Sequence, residues 1–177
     1  MNRLYSILEQ SITWKGFALV LSLLALVGGT IGYTVAQIMA VSGQGILDFE
    51  FGHSVGRINE VLGAYGGEGK ALYHRVQLLD LLNPVIYSWF TAMLLYLLVR
   101  GSRWSWFVVL ALLPGLFDYA ENYFLYQFLV THPAIDAGQV QIANVLSLVK
   151  QGAFGVTVAA FAFACVQKVL ARSATED

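Results

Sequence analysis

The sequence predicts an all-α polytopic membrane protein, a four-transmembrane-helix bundle with an outer amphipathic lid between spans one and two. Three observations lead there. Hydrophobic residues make up 58% of the 177-residue chain and charged residues only 12%, with a mean hydropathy of +0.66. A soluble domain averages about 25% charged residues, so the polar surface needed in water is missing. Four apolar stretches each approach or exceed the roughly 20 residues that a bilayer crossing needs. Finally, the short flanks that carry Lys and Arg fall on one side of a four-span chain, as the positive-inside rule requires, while the basic residues of the long outer connection are accompanied by acidic ones.

The whole chain, residues 1–177, is expected to form one membrane domain, with spans near residues 16–41, 79–99, 104–131 and 139–167 and an outer connection over 42–77. Residues 1–15 precede the first span. There Leu4, Ile7, Leu8 and Ile12 recur at helical spacing, which suits a short helix on the membrane surface, anchored by Trp14 and Lys15. From Gly16 to Leu47 there is no charge. That run exceeds the apolar core of a signal peptide, about 7–15 residues, so it reads as a span. Gly28 and Gly32 form a G-x-x-x-G, which predicts close approach of another helix.

The outer connection holds Asp48, Glu50, Arg57, Glu60, Glu68, Lys70 and Arg75. Val55, Ile58, Val61 and Leu62 mark a short amphipathic helix in it, and the glycines at 63, 66, 67 and 69 predict a flexible turn after it. A connection this long with its own helical pattern suits a lid better than a slack linker. The second span enters through Asn83-Pro84. Tyr73, Gln77, Asp80, Pro84 and Tyr87 fall on one helical face, the polar one. In the third span, Pro114 frees the carbonyl of Leu110 and predicts a kink. The fourth carries a polar stripe of Gln141, Asn144, Ser147, Lys150 and Gln151.

Arg3 and Lys15, Arg100 and Arg103, and Lys168 and Arg172 all fall on one side of this arrangement. Both termini are therefore expected in the cytoplasm, in a plasma or bacterial inner membrane.

The candidate site follows from depth. At about 1.5 Å of rise per residue, Asp118 lies about 21 Å, Lys150 about 25 Å and Asp80 about 28 Å from the inner boundary. Within a hydrocarbon core of about 30 Å, all three occupy the outer half. Asp118, Glu121 and Asn122 share a face, being three and four residues apart. Ionisable groups at such depth are costly and face a protein interior or a wet cavity. One carboxylate can pair with Lys150. A second without a cation would hold a proton more tightly and could serve as a general acid or base. Asp118, Glu121 and Asp80 are thus the catalytic candidates, with Lys150, Asn122 and Gln151 in binding roles. The alternative is that the network only pins three helices together.

Other chemistries find less support. A net charge of −1 and the lack of a basic run exclude a nucleic-acid partner. One cysteine, Cys165, cannot form a redox pair and reads as a packing residue. Carboxylates with His74 could ligate a divalent cation, but no H-x-x-x-H or H-E-x-x-H is present and Lys150 would compete, so no metal and no cofactor is expected. His74 is expected at the membrane interface and is kept as a binding candidate, whereas His53 reads as a solvated loop residue and His132 as a helix-end residue. No G-x-S-x-G or Walker loop occurs.

The segments LGAYGGEGKALYHRVQLLDLLNPVIY, LPGLFDYAENYFL and SLVKQGAF together resemble an uncharacterised family of small four-span integral membrane proteins. Its pattern is a glycine–acid–glycine–basic turn with a tyrosine nearby, an L-D-x-x-x-P entry helix, a D-x-x-E-N helix and a lysine in the last span. The resemblance covers most of residues 60–155. It implies that Glu68 and Tyr73 join Asp80, Asp118, Glu121, Asn122 and Lys150 in one site, and it implies no activity. A looser similarity, at the level of fold, is to the sterol isomerase and sigma-2 receptor superfamily, which also holds carboxylates in a small helical membrane fold. Three functions are consistent with the sequence: a protein that binds or acts on a membrane lipid or apolar small molecule, an assembly or scaffold subunit with a homo-oligomeric or membrane-protein partner, and a proton- or cation-coupled transport component.

Overall fold

The computed structural model describes residues 2–50 and 52–173, with side chains described as far as Leu170; Arg172 and the polar tail fall outside the described side chains. All regular structure among the described residues is helical: α1 (Asn2–Ser11), α2 (Trp14–Ser42), α3 (Val55–Ala64), α4 (Gly66–Leu79), α5 (Asn83–Val99), α6 (Leu113–Thr131) and α7 (Ala137–Ser173). Two 3-10 segments, Leu47–Phe49 and Ser105–Leu112, precede α3 and α6. Three helical runs are long and apolar enough to cross a membrane: Trp14–Ser42, Gly66–Val99 and Ala137–Leu170. Their outer faces are apolar, with Leu19, Leu26, Val145, Leu148 and Val158 all exposed. In lipid such a surface is satisfied, because every helical N–H and C=O finds its partner within the segment.

Local chemistry sets the boundaries. Thr13 caps α2 by accepting the Gly16 N–H at 3.0 Å, and Gly43 closes it in the left-handed region at φ 69°. Ser54 caps α3 by accepting the Arg57 N–H at 3.1 Å. Gly66, at φ 57°, lets the chain turn straight from α3 into α4. The glycines after it form the first turn of α4 and not a flexible turn. The second span therefore reaches back beyond residue 79, with α4 and α5 separated only by the turn at 80–82.

The third stretch differs from a single kinked α-helix. Pro114 sits in the first turn of α6, and the residues before it wind as a 3-10 helix. Proline has no N–H to offer the Leu110 carbonyl. That carbonyl instead accepts the Leu113 N–H, a tighter link, and the Thr157 hydroxyl of α7 at 3.0 Å. The proline thus trades an internal bond for one that ties the third stretch to the fourth.

Two apolar clusters form. One joins Val35 and Ile38 of α2, Ile58 and Val61 of α3, Tyr73 and Val76 of α4, Leu125 and Phe128 of α6, and Val140 and Ala143 of α7. The other joins Leu8 of α1, Met93 and Val99 of α5, Val108 and Ala111 before α6, and Ala160 and Ala164 of α7. The start of the chain, the end of α5 and the later part of α7 therefore meet at one end. The polar residues of α6 and α7 fall between the clusters. Cys165 is exposed on α7 and does not pack in the core. A Cβ added at Gly28, Gly29 or Gly32 would meet nothing within 4 Å, so the G-x-x-x-G does not seat another helix.

Close approach occurs elsewhere. At Gly115 of α6, a Cβ would collide with the Ser88 Oγ and lie 2.9 Å from the Pro84 carbonyl oxygen of α5. Gly115→Ala should therefore force α5 and α6 apart and cost about 1–3 kcal/mol, the range for overpacking a tight contact. A denaturation curve of the variant in detergent measures this; an unchanged midpoint would contradict the packing.

Candidate functional site

The site is built from the turn after α4, the middle of α6 and the middle of α7. Asp118, Glu121 and Asn122 are three and four residues apart, so one face of α6 presents all three inward; they are 8%, 1% and 5% exposed. Lys150 of α7 reaches between the two acids. Its Nζ is 3.1 Å from Asp118 Oδ1 and in ion-pair contact with Glu121 Oε2. Asp118 Oδ2 accepts the Tyr87 hydroxyl of α5 at 2.9 Å. One ammonium thus serves two carboxylates and links α6 to α7, while Tyr87 ties in α5. Glu121 Oε1 and Asn122 Oδ1 are buried without a hydrogen-bond partner among the described residues.

Asp80 ends α4 next to this group. It accepts Asn122 Nδ2 at 2.5 Å and Asn83 Nδ2 at 3.1 Å. A further carboxylate belongs to half-buried Asp48, in the 3-10 segment after α2. It accepts the Tyr73 hydroxyl at 2.7 Å and Gln77 Nε2 at 3.2 Å. Both donors sit on one face of α4, one turn apart. Burial pushes the Asp48 carboxyl up from its ordinary 3.8 to about 6; the Tyr73 hydrogen bond opposes the rise and the charge of Asp80 adds to it.

These groups surround a cavity of about 420 Å³. Asp48, Asp80, Asp118 and Lys150 line it, with Asn83 and Gln151. Gly28 and Gly32 of α2 form its opposite wall, and the open space above these glycines is part of the cavity. Here α2 packs on α4 and α5, whereas α7 packs chiefly on α6. The cavity occupies the interval between α2 and α7.

The structure thus brings together Asp80, Asp118, Glu121, Asn122 and Lys150, with Gln151 on the rim. Tyr73 joins through Asp48. Glu68 and His74 do not join. Glu68 is exposed in the first turn of α4, and His74 packs its ring on Tyr126, with centroids 5.8 Å apart. The helix turns about 100° per residue, so residues five before and one after Tyr73 leave its face. Two residues escape the sequence patterns. Asp48 looks like one of several connection charges; its only signal is an acid flanked by apolar residues in I-L-D-F. His53 is not solvated: it is 7% exposed and both ring nitrogens lack a hydrogen-bond partner among the described residues. Asn144 holds its backbone, accepting the N–H at 2.7 Å and donating to the carbonyl at 2.9 Å. Burial pushes the ring below the usual imidazole range, and the nearby charges of Glu121 and Glu50 oppose this. His132 follows the end of α6, where Nδ1 meets Lys70 Nζ at 3.0 Å.

No protein-family model matches the chain, and no curated protein or solved structure is significantly similar to it.

Lys150→Met leaves two buried carboxylates without their cation and should cost about 3–5 kcal/mol in a denaturation curve. Adding Asp118→Asn and Glu121→Gln to that variant should recover more than half of the loss; no recovery would mean that the lysine acts through packing alone. For Asp48, the folded acid binds its proton more tightly than the unfolded one. Its contribution to stability therefore falls as pH rises from about 4 to about 6 and is flat above that. Asp48→Asn should flatten the pH dependence of the unfolding midpoint in this window and be about 1–2 kcal/mol more stable at pH 7. A slope identical to the parent's would contradict the raised carboxyl.

Proposed function

We propose that the chain crosses the membrane four times and binds, or acts on, a lipid or apolar small molecule in the cavity beside the carboxylate–lysine cluster. Four crossings are supported by topology. The end of α5 and the later part of α7 share one apolar cluster, while Phe128 of α6 and Val140 of α7 belong to the other. The chain between them must travel from one end to the other. The 3-10 segment and α6 together reach about 44 Å, more than a bilayer core. The start of α1 and the end of α7 then share a face with Lys15, Arg100, Arg103 and Lys168, which is assigned to the cytoplasm. Residues 43–65 act as an outer lid, in keeping with the place of Asp48 and Phe49 on the cavity wall.

The single observation that carries the binding role is the cavity itself. A cluster meant only to brace helices would be closed and dry. Here three carboxylates and the lysine face about 420 Å³ of space bounded by glycines. Asp118 and Asp80 on the cavity wall are the groups open to proton transfer with a ligand, Glu121 stands behind them in contact with Lys150, and Lys150 and Asn122 hold the acids in place.

A scaffold role is the second reading, favoured by the service of Lys150 to both acids of α6. Gly32→Phe separates the two. It places bulk in the cavity from α2 and leaves every residue of the cluster unchanged, so it should remove co-purifying lipid or apolar ligand, read by mass spectrometry, while the unfolding midpoint holds. An unchanged lipid profile would favour the scaffold reading.

A further inference from the structure

Two features of the cavity bear on what it takes, given that it is a binding site as proposed above. The first is its charge. Lys150 is the cation in contact with the cluster, and it is committed to Asp118 and Glu121. Asp48 and Asp80 face the same cavity with neutral hydrogen-bond partners: a tyrosine and a glutamine for one, two asparagines for the other. Two half-buried carboxylates with no cation in contact among the described residues are expensive in a low-dielectric setting. A ligand that brings a positive charge removes that cost, whereas an anionic or neutral one leaves it or adds to it. The cavity also offers these acids as acceptors, which suits a head with several N–H donors.

The second feature is an apolar neighbour. A groove of about 390 Å³ runs between α5 and α7, lined by Thr91, Ala111, Val158 and Phe161. Phe154 lines both this groove and the polar cavity. Tyr87 joins them from the other side: its ring lines the groove and its hydroxyl bonds Asp118 in the cavity. The two rings stand 5.5 Å apart and form the boundary between a charged compartment and an apolar one. The charged cavity and the apolar groove therefore adjoin across this pair of rings.

We propose that the site takes a membrane amphiphile with a primary ammonium head, seated between Asp48 and Asp80, with its chain passing Phe154 and Tyr87 into the α5–α7 groove. Either a free long-chain amine or an ethanolamine-headed lipid carries this chemistry. Each charge-assisted hydrogen bond to a carboxylate is worth about tenfold or more in affinity.

The test uses the full chain in phosphatidylcholine nanodiscs and compares dodecylamine, dodecanol and dodecanoate. Dodecylamine should bind at least about tenfold tighter than the other two. An Asp48→Asn, Asp80→Asn double variant should lose that preference. Val158→Trp, on the exposed groove wall, should shrink the affinity gained between octylamine and dodecylamine. Gly32→Phe, which leaves each carboxylate in place, should also lose dodecylamine, so the result does not depend on a folded double variant. Retention by native mass spectrometry of ethanolamine-headed over glycerol-headed phospholipid would assign the bilayer as the source; amine binding without that retention would assign a free amine. Equal binding of dodecanol or dodecanoate, or an amine preference that survives the double variant, overturns the ammonium assignment and leaves the binding role standing. Failure of all three probes to bind overturns both.

Discussion

The arrangement depends on one ammonium group. Lys150 sits between Asp118 and Glu121, so that a single positive charge from α7 offsets two negative charges on one turn of α6. Any of the three charges buried alone would be costly. Each makes the others tolerable, and the cost of separating them fixes how α6 and α7 lie against each other. The Tyr87 hydroxyl on Asp118 extends the constraint to α5, and the Thr157 hydroxyl on the Leu110 carbonyl extends it to the 3-10 segment. The two apolar clusters pack on either side of this layer.

The same layer explains the cavity. Helix α2 contributes no polar partner to the cluster among the described residues and faces it with Gly28 and Gly32. Small residues in membrane helices usually let backbones approach. Here no neighbour occupies the space they leave, and a charged compartment opens instead. Asp48 enters that compartment from the connection, held by Tyr73 and Gln77. The result is a site with more acid than base, bounded by aromatic rings on the side of the apolar groove.

How much of this is legible in the sequence differs by residue. Asp118, Glu121, Asn122 and Lys150 are legible because each lies in a long apolar run with helical period, where spacing fixes the face and rise fixes the depth. That helices form at all is legible for the same reason. The bounds of the second and third stretches are not. Glycines at 66, 67 and 69 speak against a helix locally, yet α4 forms because Leu72, Tyr73 and Val76 on its inner face are buried. Pro114 signals a break, but whether the break is a kink or a change to 3-10 winding depends on Thr157, on a different helix, and no local pattern carries that. Asp48 and His53 lie in short or irregular segments, where periodicity gives no face. Glu68 and His74 are suggested by resemblance or composition, and the turn of α4 carries them away from the cluster.

The most direct measurement is a double-mutant cycle between Lys150 and Glu121. Unfolding free energies would be obtained for the parent, Lys150→Met, Glu121→Gln and the pair. If the ammonium is what lets the acid be buried, the two changes are strongly coupled, by about 1–3 kcal/mol, and the pair is less damaging than the lysine change alone. Additive effects, with coupling near zero, would contradict the account.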